Sequence, residues 1–199
     1  MNYLAHLYLS GFDDDLLIGN FIGDHVKGRD FAMYSKEVSN GIILHRFIDH
    51  FTDAHSKFIE SKLRLRPTFK KYAPVIVDMY YDHFLAVHWE KYSDMDLETF
   101  AAYCYSVIQK NFESLPMSCQ LTFKYMQKQN WLVSYKSLDG LDRALSNMAR
   151  RTVFISGMEN AAEFLQGNYE SFEKEFLVFF EDVQEVVAWK IKELNPRQA

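Results

Sequence analysis

The stretch GIILHRFIDHFTDAH, residues 41–55, sets His45, Asp49 and Asp53 at four-residue intervals. On a helix, residues four apart share one face, so an imidazole and a carboxylate can grip the same cation. Clustered imidazole and carboxylate donors suit Mn²⁺, Mg²⁺ or Fe²⁺ better than structural zinc. Such a cation polarises a phosphoryl oxygen and lowers the pKa of a bound water. Arg46 lies about 100° further round the helix than His45, placed to guide a phosphate rather than to bind metal. His50 and His55 point elsewhere on the wheel and read as exposed or capping residues.

Two more stretches carry the same residue types. GNFIGDHVKG puts Asn20 one turn before Asp24, so both can face one site; Asp24 otherwise reads as a surface acid at a helix end. DMYYDHFLAVHW puts Asp78 and Asp82 on one face, followed directly by His83, amid Met79, Tyr80, Tyr81, Phe84, Leu85 and Trp89. A charge on so apolar a helix is costly unless paired or metal-bound. His88 lies well round the wheel from Asp82 and reads as a core histidine. The histidines all fall within the first 90 residues and the second half has none, which concentrates the candidate chemistry there. There is no Gly-rich phosphate loop, no G-x-S-x-G elbow and no H-E-x-x-H.

The elements that must position these residues read as helical almost throughout. Apolar residues Leu16, Leu17, Phe21 and Ile22 follow the acids of DDDLL; Val38, Ile42, Leu44, Ile48 and Phe51 stripe the next segment. Pro74 suits a first helical turn, and Asp94 or Asp96 suits the cap of the helix after it. Further helical stretches run over about 117–130, 138–151, 158–166 and 168–194. Loops are expected near 28–34, 56–73, 92–95 and 152–157, and the terminal NPRQA is expected to fray. The expectation is an all-α chain, residues 1–199 forming a single helical domain of roughly seven helices.

Bulk composition agrees. With 48% hydrophobic and 16% aromatic residues, disorder is excluded. A net charge of −5 argues against general nucleic-acid binding. No stretch approaches the ~20 apolar residues of a membrane span, and the N-terminus lacks the basic start of a secretory leader. Cys104 and Cys119 fit no metal spacing and read as buried small hydrophobes in a reducing, cytoplasmic setting. Lys57–Lys71 carries six basic groups against one acid, while the last forty residues lean acidic. Lys62, Arg64, Arg66, Lys70 and Lys71 therefore form a candidate surface for an acidic partner.

MNYLAHLYL, GNFIGDHVKG, GIILHRFIDHFTD and DMYYDHFLAVHW, in this order and spacing, resemble the acyl carrier protein phosphodiesterase family. The likeness covers most of the chain, is strongest over residues 1–90, and returns weakly at NWLVSY (130–135) and MARR (148–151). The resemblance implies an all-helical fold distantly related to the HD-domain phosphohydrolases. It also implies hydrolysis of the phosphodiester joining 4′-phosphopantetheine to a serine of holo-acyl carrier protein, with Mn²⁺ preferred. By motif match it implies Asp24, His45, Asp49, Asp82 and His83 as the metal set. Asp24, Arg46 and Asp82 would have catalytic roles, and Asn20 would support them. The adjacent pair here runs Asp82–His83 rather than His–Asp. On this reading Asp82→Ala abolishes turnover with folding nearly intact. Other readings are a related phosphohydrolase acting on a nucleotide or other small phosphodiester, a non-catalytic carrier-protein binding module, and a structural helical domain whose buried acids are salt-bridged.

Overall fold

The computed structural model describes residues 1–194; the expected frayed NPRQA lies outside the described residues. The helices are α1 (Tyr3–Leu9), α2 (Asp14–Ile22), α3 (Lys36–Ala54), α4 (Ser56–Phe69), α5 (Ala73–Val87), α6 (Trp89–Tyr92), α7 (Leu97–Lys110), α8 (Met117–Lys128), α9 (Trp131–Ser134), α10 (Leu138–Ala149), α11 (Ala161–Gln166) and α12 (Tyr169–Leu194). There is no strand among the described residues. Among these residues only eight helices reach nine residues in length. The count exceeds the roughly seven expected because α4 lies in a stretch read as a loop and because α1, α6 and α9 are too brief to show a period of their own.

Side-chain oxygens start several helices by taking the orphan N–H groups of the first turn. Asp13 accepts from Asp15 and Leu16 at α2, and Ser35 accepts from Val38 at α3. Asp96, rather than Asp94, caps α7 through the Thr99 N–H at 2.7 Å. Pro74 occupies the first turn of α5, as its fixed φ suits.

The loop expected over 56–73 is instead α4, followed by a short 3-10 turn, Lys70–Tyr72. Phe58, Ser61, Leu65 and Phe69 are buried along one face of it. The dense charges cover the other faces, which is why the segment resembles a solvated loop in sequence. Lys70 ends the helix with a left-handed φ of 51°.

The core is built round α5. Met79 to Ala86 are all buried, and Tyr80, Tyr81 and Phe84 meet Phe172, Phe179 and Phe176 of α12 at ring-centroid separations of 5.0, 5.1 and 5.8 Å. No helix among the described residues is long and apolar enough to cross a membrane.

In this frame α2 and α3 approach each other backbone to backbone. A Cβ on Gly19 would sit 2.7 Å from the Gly41 Cα, and one on Gly41 would sit 2.4 Å from the Leu16 carbonyl oxygen. Only glycine allows α2 and α3 to touch here. That contact carries Asn20 of α2 to His45 of α3.

Candidate metal centre

Three helices converge on one buried polar knot. Asn20 Nδ2 donates to the His6 carbonyl at 2.7 Å and to Ser10 Oγ at 2.9 Å. Its Oδ1 is thereby left as an acceptor. That oxygen lies 2.8 Å from His6 Nδ1 and 3.1 Å from His45 Nδ1, so both Nδ1 atoms carry hydrogens. His45 Nδ1 lies also 2.9 Å from the Asn20 carbonyl. With both rings held in one tautomer, their Nε2 atoms face the same place. The rings stack with centroids 4.1 Å apart.

Asp49 closes the cluster: Oδ1 lies 3.1 Å from His6 Nε2, and Oδ2 lies 3.1 Å from His45 Nε2. Asp24, on the 3-10 turn after α2, brings Oδ1 to 3.1 Å from His45 Nε2 while its side chain stays 73% exposed. The turn can approach because residue 23 is glycine; a Cβ there would lie 2.3 Å from His45 Cγ.

Protonation follows from this geometry. Burial disfavours a charged His45, but hydrogen bonds to Asp24 and Asp49 outweigh it and raise the ring to about 9. His6, buried and beside a cationic His45, is lowered to about 4. Burial opposes ionisation of Asp49, yet the hydrogen bond from the cationic His45 ring holds it well below the usual carboxylate range. Asp24 is lowered, first by its hydrogen bond with His45. Beyond the two Nδ1 hydrogens, the knot thus holds one proton, on His45 Nε2 between the two carboxylates. A divalent cation can replace that proton. Donor atoms of His6, His45 and Asp49 all lie within 4.8 Å of one another. Two imidazole nitrogens, each with its far N–H anchored, plus a carboxylate, match what such ions take.

The structure therefore brings together Asp24, His45, Asp49 and the supporting Asn20. It adds His6, which the residue pattern alone does not single out. It does not bring in Asp82 or His83. Asp82, fully buried, accepts from the Leu4 and Ala5 N–H groups at 2.8 and 3.2 Å, serving as a second cap of α1. His83 bonds the Tyr135 carbonyl at 2.7 Å and the Tyr169 hydroxyl at 3.1 Å. Arg46 is likewise engaged: its two terminal nitrogens donate to the Val26 and Gly28 carbonyls at 2.7 Å each, bracing the loop after the 3-10 turn. These two bonds make Arg46 a strut of that loop. His55 caps α4 and pairs with Asp182, and His88 pairs with Glu173. Asp53 lies exposed at the end of the α3 stripe.

Fold and site together define an all-helical protein with a buried His–Asp donor cluster borne on short and long helices. The family model for acyl carrier protein phosphodiesterase matches residues 1–183. Relatives named acyl carrier protein phosphodiesterase include one from Enterobacter sp. (strain 638), 33% identical over 181 residues, which span 90% of this chain and 94% of the relative. Those from Photorhabdus laumondii and Klebsiella pneumoniae are each 32% identical over 90% of this chain, covering 91% and 94% of their own lengths. No solved structure matches. The chain belongs to the acyl carrier protein phosphodiesterase family.

Proposed function

We propose that this protein is a phosphoric diester hydrolase that releases 4′-phosphopantetheine from holo-acyl carrier protein, leaving the apo-protein. Supporting this is the convergence of His6 Nε2, His45 Nε2 and the Asp49 carboxylate in a member of this family. Those three residues, with Asp24 at the rim, would hold a divalent cation, Mn²⁺ by preference and Mg²⁺ or Fe²⁺ otherwise. The cation supplies positive charge to draw the phosphoryl group and to acidify water. Asn20 keeps both imidazoles turned toward the phosphodiester. Asp49 neutralises charge within the knot. Asp24 is the more open of the two carboxylates, its side chain 73% exposed against 39% for Asp49, placed to accept a proton from attacking water. Kinship with HD-domain phosphohydrolases is part of the same proposal. It is supported by helix-borne His and Asp donors on an all-α frame rather than by an adjacent His–Asp pair. The unpaired, buried Cys104 and Cys119 fit a reducing cytoplasm.

Incubated with Mn²⁺, holo-acyl carrier protein is expected to lose the mass of phosphopantetheine, and EDTA is expected to prevent the loss. Intact holo-protein after long incubation with Mn²⁺ would sink the reading.

The partner docks, on this reading, where Lys62, Arg66, Lys70 and Lys71 surround a surface hollow. Arg64 is not part of that surface. Its guanidinium makes two hydrogen bonds to Glu175, at 2.6 and 2.7 Å, and lies over the Phe172 ring. Next to the hollow, Lys71 Nζ lies 4.1 Å from the Phe154 ring centre, on a loop where Val153 and Ile155 are 93% and 99% exposed. Cations bordering an exposed apolar tip suit an acidic partner that also offers apolar side chains. Reversing Arg66 and Lys71 to Glu is expected to raise KM for holo-carrier protein about tenfold at low salt, with kcat little changed. The defect should narrow as salt screens it. A salt-independent loss of kcat in steady-state assays would point elsewhere.

A further inference from the structure

A second hollow, about 170 Å³, opens between the start of α1, the middle of α5, and α8 to α10. We propose that it is the subsite for the pantetheine arm of the substrate, an uncharged linear chain carrying amides, with Arg151 at its mouth. This rests on the reading of the protein as a phosphopantetheine-releasing enzyme and specifies where that enzyme grips its substrate.

Two of its walls lead directly to the centre. Tyr3 lines it three residues ahead of His6 on the same short helix. Burial raises the Tyr3 phenol to about 12, the Asp24 carboxylate adds to this, and the Arg151 guanidinium opposes it. Met79, on the opposite wall, follows Asp78, whose carboxylate lies 3.0 Å from the Met1 amino nitrogen; that nitrogen lies 3.6 Å from Asp49.

The lining chemistry selects the ligand class. Trp131, Met79 and Met148 supply apolar walls, Asn147 supplies an amide, and no lining residue is acidic; Arg151 carries the only formal charge. Apolar walls with a few polar groups suit a neutral or anionic ligand of mixed polarity. At about 170 Å³ the hollow falls below the ~300–1,000 Å³ usual for drug-sized ligands, which fits a segment of a slim, extended chain rather than a whole compact ligand. With the arm in this hollow, the phosphodiester lies over His6, His45 and Asp49.

Ala144, half-buried on α10, lines the hollow, so Ala144→Leu fills it without removing any polar group. Calorimetric titration of free pantetheine into the full chain with Mn²⁺ is expected to show saturable binding, weakened at least tenfold in Ala144→Leu. The variant is also expected to lose at least tenfold in kcat/KM on holo-carrier protein, yet hydrolyse bis(p-nitrophenyl) phosphate within twofold of the parent. Pantetheine binding that survives the filling, or equal losses on both substrates, would overturn the assignment. If the parent chain binds pantetheine and the filling blocks it while holo-carrier protein is never cleaved, the functional reading fails and the subsite stands. If cleavage occurs and the filling changes neither binding nor turnover, the subsite alone fails.

Discussion

His6→Ala is expected to reduce phosphopantetheine release by at least about 100-fold, since residues that merely orient metal ligands already cost 10–100-fold when removed. His6 touches Asp49 directly and shares the Asn20 acceptor with His45. Its removal strips one donor from the cluster and leaves the other ring held by the Asn20 carbonyl. The fold should persist, because the lost contacts are a few hydrogen bonds worth roughly 1 kcal/mol each. For a chain of this size, that lowers Tm by only about 2–4 °C per kcal/mol. Mn²⁺ affinity, measured calorimetrically, should fall together with kcat/KM while circular dichroism stays helical. His55→Ala is the internal control. His55 caps α4 and pairs with Asp182, so its loss should cost about 1 kcal/mol of stability and little activity. Near-normal turnover in His6→Ala would remove that ring from the centre, and the proposed donor set with it.

What the residue pattern makes legible, and what it hides, divides along the range of the interactions. His45 and Asp49 are readable because their pairing is local: a four-residue step on a well-striped helix. Asn20 and Asp24 are readable for the same reason. His6 is not, since α1 is seven residues long and a lone histidine in LAHLYL reads as a core residue. Only the crossing of α2 and α3, allowed by Gly19 and Gly41, and the Asn20 bridge give it a partner. A signal does exist: a histidine inside so apolar a segment must be hydrogen-bonded if buried, which His6 is. The basic run 57–71 misleads in the opposite way. Its charges sit on the outer faces of α4, while Phe58, Leu65 and Phe69 carry the helical period beneath them.

Asp82 shows the same division and gives the largest expected effect on stability. A carboxylate on an apolar helix must be paired or metal-bound, and it is paired, but to the backbone of α1. Asp82→Ala would leave the Leu4 and Ala5 N–H groups buried without acceptors, at about 1–3 kcal/mol each. Set against typical stabilities of about 5–15 kcal/mol, that removes a large share of the margin. Activity should be lost through α1 and His6 rather than through chemistry, correcting the expectation that this variant folds normally. Asp82→Asn keeps one acceptor and should be milder. It should also change the pH dependence. Burial raises Asp82 from 3.8 to about 7, against the pull of the two N–H groups. Between those values the folded state therefore binds the proton that the unfolded chain releases. Asp82's contribution to stability is then fully present below about pH 4 and declines toward pH 7. Urea denaturation of the parent and Asp82→Asn across pH 4–8 should show the parent losing ground to the variant up to about pH 7, then a constant difference. A parent that instead gains stability relative to the variant as pH rises would mean that the N–H groups outweigh burial and that Asp82 is folded as a low-pKa carboxylate.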